Sequence, residues 1–114
     1  MTTTLAQKQC VPCKEGGEPL KGPALEALHR QVPDWAVIQQ HHLRRIFKFP
    51  DFKTALEFVD RVGELAEQEN HHPSLFLAWG EVIVEVFTHK IGGLHENDFI
   101  LAAKIDELSE SGAD

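Results

Sequence analysis

"DFKTALEFVDRVGELAEQEN" fills residues 51–70, and "HHPSLFLAWGEVIVEVFTH" follows without a break over residues 71–89. In the first stretch Phe52, Ala55, Leu56, Val59, Val62 and Ala66 recur in helical steps, with Lys53, Glu57, Asp60, Arg61 and Glu64 on the opposite face. Asp51 can cap this helix behind Pro50, and Asn70 with the turn before Pro73 ends it. The period then changes. Val82, Val84 and Val86 share one side of an extended segment, while Glu81, Ile83, Glu85, Phe87 and His89 share the other. Together with "SLFLAW", and with Trp79 and Gly80 between, this segment predicts a hairpin.

The flanks repeat the theme. "PALEALHRQV" predicts a helix opening at Pro23 and stopped by Pro33 and Asp34. "WAVIQQHHLRRIFKF", residues 35–49, predicts a first hairpin with its break at Gln40 to His42. Beyond Gly92 and Gly93, "ENDFILAAKIDEL" predicts a last helix carrying Leu101, Ile105 and Leu108 on one side. The order α-β-β-α-β-β-α implies an α+β fold, a four-stranded antiparallel sheet with three helices on one face. The sheet face bearing Ile83 and Phe87 is then left partly apolar. Such a face predicts association, so a homo-oligomer is expected, a homodimer or homotetramer.

The chain has 114 residues, enough for one domain and one core. Its formal charge of -7 repels phosphate backbones and argues against nucleic-acid binding. It holds no apolar run of membrane-spanning length, and "MTTTLAQKQC" lacks the layout of a secretory signal. No membrane partner and a cytoplasmic location are expected. Residues 1–20 read as a flexible leader, 21–108 as the domain and 109–114 as an acidic tail. Within the leader, Cys10 and Cys13 form a lone C-x-x-C. It reads as a reducible thiol pair in a loose segment, the other reading being a partial metal site completed by a histidine.

Seven histidines in so short a chain invite a chemical reading. His29, on the first helix, and the pair His41–His42, in a turn, read as surface residues. His71 and His72 stand at the junction of the best helix with a strand, where a rigid frame can present reactive groups. Pro73 restricts His72 to extended backbone. The two rings should therefore point apart and hold separate tasks, which argues against a shared metal. Glu67, close upstream, can orient or charge an imidazole. His89 ends a strand, with Thr88 turned toward the helices. Asp98, three residues after His95, can close a capping box on the last helix.

The combined spacing of Glu67, His71-His72-Pro73, Trp79, His89 and Asp98 resembles the signature of the pterin-4a-carbinolamine dehydratase family. "PDWAV", the helix from Asp51 and "GLHENDFILAAKID" extend the resemblance over roughly residues 20–108, and "CVPC" looks like bacterial members. The resemblance implies the same α+β fold, forming dimers and often tetramers. It implies dehydration of a 4a-hydroxytetrahydropterin to quinonoid dihydropterin, recycling the pterin after aromatic amino acid hydroxylation, with no metal and no organic cofactor. It makes His71 and His89 the acid/base candidates and gives His72 to holding the pterin. Glu67 would support His71 or bind the pyrimidine edge. Pro73, Thr88, His89 and Lys90 would line the site, and Asp98 belongs to the signature beside its capping role. The chemistry agrees: a leaving hydroxyl needs a proton, N5 must lose one, and histidine suits both near neutral pH. One departure is Leu75, where many relatives carry tryptophan; Phe76 or Trp79 could supply the flat platform instead. The rival readings are a non-catalytic interaction or dimerisation module acting on a hydroxylase or a transcription factor, and a metal-binding protein built from the histidines and "CVPC".

Overall fold

A computed structural model describes residues 5–10 and 18–111. Its elements are α1 (Gly22–His29), β1 (Ala36–Ile38), β2 (His42–Lys48), α2 (Phe52–Glu69), β3 (Ser74–Ala78), β4 (Glu81–Val86) and α3 (Glu96–Ser111). Short 3-10 turns occupy Leu5–Gln7 and His89–Ile91. The strands form one antiparallel sheet in the order β1-β2-β4-β3. The expected order of elements and the α+β architecture are both present.

Alternation decides the two faces of the sheet. Leu43 lies opposite Val86 and Phe47 opposite Val82, and all four side chains are buried. Val84 completes this inner face. Ala55, Phe58 and Val62 of α2 and Phe99, Leu101 and Ile105 of α3 pack on it. Phe58 has ring neighbours in Phe47 at 4.8 Å and Phe49 at 5.1 Å. Burying a side chain of that size contributes about 2–3 kcal/mol. The outer face carries an apolar row, Ile46–Ile83–Phe76, flanked by the ion pairs Arg44–Glu85 at 3.4 Å and Lys48–Glu81 at 2.5 Å. Ile46 and Phe76 are exposed, so an open apolar face through Ile83 is present, but Phe87, expected on it, follows the end of β4 and is half-buried against the core.

Arg45 breaks the inner apolar pattern, since it lies opposite Val84. Its guanidinium sits over the Phe47 ring and donates to Asp106 Oδ1 at 2.5 Å, where Trp35 Nε1 also donates at 2.8 Å. The charge is thus neutralised at the edge of the core by a residue that reached it from α3.

Several local expectations change. α1 stops at His29, and Val32 is buried in the turn that follows rather than on the helix. His29 is not a free surface residue, because its Nε2 lies 2.6 Å from the Trp35 carbonyl. Gln39 and Gln40 both take left-handed backbone (φ 53 and 54) and make the β1–β2 turn, closed by His41 N–H on the Ile38 carbonyl at 2.8 Å. His42 is therefore the first residue of β2, and both His41 and His42 are half-buried. Within the segment read as a flexible leader, residues 5–10 are partly packed, with Leu5 buried and Gln7 and Gln9 exposed. Leu5 enters the core against α3, and Lys8 pairs with Glu96 at 2.8 Å. At the other end α3 runs on to Ser111, into the stretch read as a tail. Among the described residues, no helix is long and apolar enough to cross a membrane.

α2 is bounded as its sequence predicts. Asp51 accepts from the Thr54 amide at 2.8 Å and from its hydroxyl at 2.7 Å. These bonds hold its carboxyl below the usual range, so folding favours the ionised form. The stabilisation is present above the unfolded carboxyl's pKa and is lost as pH falls through the lowered folded value. Asp51→Ala should accordingly lower the melting temperature at neutral pH, and the gap from wild type should close in acid. Thermal melts along a descending pH series test this; a gap of constant size would show that the carboxylate charge is not what stabilises the helix start.

Candidate active site

Three element ends meet at one edge of the core: the end of α2, the start of α3 and the exit from β4. α2 ends at Asn70, whose left-handed backbone (φ 52, ψ 40) turns the chain. Its amide donates to the Glu67 carbonyl at 3.3 Å, and the His71 amide donates to the Ala66 carbonyl at 3.1 Å. This nested pair of bonds is the Schellman helix stop. It satisfies late helix carbonyls and delivers the next residue, His71, against the body of the protein.

α3 begins with His95 as cap: its Nδ1 accepts from the Asn97 amide at 3.0 Å, while Asp98 Oδ2 accepts from the His95 amide at 2.8 Å. The capping box expected at Asp98 is thus formed. The same carboxylate also accepts from the Thr88 hydroxyl at 2.9 Å and from His71 Nε2 at 2.6 Å. Asp98 has no solvent exposure, and the His71 side chain is 12% exposed. One carboxylate thus both caps α3 and holds His71 and Thr88. Fully buried carboxylates are costly unless hydrogen-bonded, and three donors meet that need here.

His72 points the other way, as its extended backbone requires. Its side chain is 55% exposed and its Nε2 is hydrogen-bonded to Glu67. Glu67 thus supports His72, not His71. The helix reversal at Asn70 explains the switch, because it sends His71 inward and leaves the exposed Glu67 beside the outer ring. His89 also differs from expectation. The strand ends at Val86, Thr88 leaves the ladder to bridge Gly93, and His89 opens a 3-10 turn closed at Gly92 (φ 63). Its exposed ring packs on Phe87, centroids 4.2 Å apart.

A cavity of about 480 Å³ joins these groups. That volume lies within the range of about 300–1,000 Å³ common for small-molecule sites. His71, His72, Thr88, His89 and Lys90 line it. Glu67, Pro73 and Asp98 do not: Asp98 lies behind His71, Glu67 stands beside His72, and Pro73 is half-buried outside the lining. Phe76 and Trp79 do not reach it either. Phe76 lies on the open sheet face, and Trp79, 72% exposed, sits at the far end of β3 from His72. Leu75 packs against the core. Among the described residues, the rings bordering the cavity are those of His71, His72 and His89.

Sequence reasoning missed one wall. Cys10, Glu69 and Asn97 also line the cavity. Glu69 accepts from the Cys10 amide at 2.9 Å and lies 3.6 Å from Lys104, while the Cys10 thiol faces the Asn97 carbonyl at 3.6 Å. The only available signal was Cys10 itself, and nothing in its neighbours announces a docking partner far along the chain. Burial, then the Glu69 carboxylate, pushes the Cys10 thiol up to about 12. Cys13 lies outside the described residues. Among the described residues, no three His, Cys, Asp or Glu side chains are placed to hold a metal ion. Cys10 should react sluggishly with iodoacetamide near pH 8, slower than a free thiol by about a thousandfold from its thiolate fraction alone. Peptide mapping of the alkylated folded protein checks this; labelling of Cys10 at the rate seen in urea would contradict the docking on Glu69.

Comparison with known proteins converges. A family model described as "Pterin 4 alpha carbinolamine dehydratase" matches residues 18–108. A protein of Rubrobacter xylanophilus named "Putative pterin-4-alpha-carbinolamine dehydratase" is 60% identical over 104 residues, covering 91% of this chain and 97% of that one. A protein of the same name from Chlorobium limicola is 51% identical over 109 residues, covering 93% and 96%. Among solved structures, a transcriptional coactivator/pterin dehydratase from Brucella melitensis superposes with a TM-score of 0.75 at 30% identity, over 80% of this chain and 98% of that one. A pterin dehydratase-like protein identified as a RuBisCO assembly factor in the alpha-carboxysome shares the fold, with a TM-score of 0.58 at 20% identity over 67% of this chain.

Proposed function

The chain belongs to the pterin 4 alpha carbinolamine dehydratase family, and from that premise we propose that it dehydrates a 4a-hydroxytetrahydropterin at the His71–His72–His89 cavity. The observation that carries the reading is the His71–Asp98 hydrogen bond behind a cavity that His89 also borders. In the reaction the C4a–O bond breaks and the hydroxyl leaves as water. The N5–H bond breaks as well, and its electrons form the C4a=N5 double bond. One group must give a proton to the hydroxyl and another must take one from N5.

Asp98 fixes how His71 serves. With Asp98 ionised, its carboxylate accepts a hydrogen bond from Nε2–H, which leaves Nδ1 as the acceptor of the neutral ring, and positive charge appearing on the ring is met by a buried anion. That favours His71 as the base at N5. His89 then protonates the departing hydroxyl, and its exposure lets water recharge it, which supports this division of labour. His72, held by Glu67 at the rim, and Lys90 bind the substrate; Thr88 shares Asp98 with His71 and holds the carboxylate in place. An enzyme hydroxylating aromatic amino acids is the class of reaction that supplies such a substrate.

A second reading has its own observation. The Ile46–Ile83–Phe76 row, exposed at Ile46 and Phe76, suits an interaction surface, and two structural relatives are described as a transcriptional coactivator/pterin dehydratase and a RuBisCO assembly factor. We place a second copy of this chain on that face, consistent with a homo-oligomer, and keep a non-catalytic interaction role as the alternative function. Chemically generated 4a-carbinolamine, followed optically as quinonoid product appears, separates the readings. Turnover above the spontaneous rate, unchanged by a chelator, is expected. A folded protein with no effect on the rate would favour the interaction module.

A further inference from the structure

His89 is the least restrained of the three histidines around the cavity. His71 is bonded to Asp98 and His72 to Glu67, whereas His89 is exposed on a 3-10 turn and its ring contact is with Phe87. Phe87 in turn touches His41, centroids 4.5 Å apart with the planes at 40°. His41 is steadied by His42, with Nδ1 atoms 3.1 Å apart, and by the tight turn at Gln39 and Gln40. A row of rings therefore runs from the β1–β2 turn through Phe87 to the site.

We propose that Phe87 is a positioning residue for His89: its flat ring, backed by His41, orients the imidazole toward the cavity. The inference rests on the reading of His89 as proton donor. Proton transfer demands reach and alignment, and a ring on an exposed turn samples several rotamers unless something packs against it. An aromatic face offers an imidazole a preferred offset or tilted geometry that a branched aliphatic side chain does not. The observed 4.2 Å separation and 42° tilt lie close to such a contact. Phe87 is half-buried and follows the end of β4, so a residue of similar bulk fits there without disturbing the ladder.

The test compares Phe87→Leu with Phe87→Tyr. Leucine keeps the apolar bulk and removes the ring; tyrosine keeps the ring. F87L should lower kcat by about tenfold, the worth of one lost aromatic contact, and leave KM within about twofold. F87Y should restore kcat. In parallel, the His89 ring-proton resonances should carry a ring-current displacement in wild type and F87Y that disappears in F87L. Wild-type kcat in F87L overturns the proposal whatever the resonances do, and so do equal losses in F87L and F87Y. If wild type itself has no turnover, the assigned function fails, and the resonances alone then decide whether Phe87 holds His89: unchanged His89 shifts in F87L overturn it.

Discussion

His71→Ala and His89→Ala should each lower kcat by about 10²–10⁴-fold, the usual worth of a positioned acid or base. KM should change little, because the loss falls on the transition state. The two variants should nevertheless differ in stability. His89 is exposed, so its removal leaves no buried group unpartnered. His71 is not. Its truncation strips one donor from a carboxylate with no solvent exposure and costs about 1–3 kcal/mol. Kinetics with the 4a-carbinolamine, alongside urea melts, give both numbers for each variant. Wild-type rates in both would end the acid/base assignment. A rate loss in His71→Ala alone would leave His71 in place and move the proton donor elsewhere.

Asp98 is the residue whose loss should reach furthest. In Asp98→Ala the Thr88 hydroxyl, the His95 amide and the His71 ring lose their acceptor together. Destabilisation of about 3 kcal/mol follows from unsatisfied buried donors and the broken cap. Asp98→Asn separates stability from chemistry. One amide oxygen can still accept from the helix start, but the amide N–H₂ turned toward His71 donates to Nε2 and moves the ring proton to Nδ1. The ring then has no lone pair to offer substrate. The expected result is a smaller stability loss than in the alanine variant, with kcat down by about 10²–10⁴-fold. An Asp98→Asn variant with full activity would mean that the tautomer of His71 is irrelevant to catalysis.

The sequence disclosed much of this, and the reason is visible residue by residue. α2 was legible because one stripe, Phe52 to Ala66, repeats over about four turns with a cap at each end of the helix. β4 was legible because its valines alternate without a fault. β1 was less so: it has three residues, and Trp35, which looked like part of the strand, is buried ahead of it. Short elements hold too few periods to count. At the site, local geometry could be read and distant pairing could not. That His71 and His72 part company followed from Pro73. That His71 meets Asp98 depends on how α2 packs on α3, which no spacing states. Glu67 illustrates the limit, since sequence proximity suited either histidine and only the turn at Asn70 chose between them. Cys10 was least accessible, because its partner Glu69 lies 59 positions away.

Successive side chains leave an α-helix at intervals of about 100° around its axis. A helix that overran its end by one residue would swing His71 through that angle, away from Asp98, and carry His72 into its place with the wrong neighbour. The left-handed asparagine therefore acts as an indexing pin. It sets the bearing at which the chain leaves α2, and with it which of two chemically identical rings becomes the buried one.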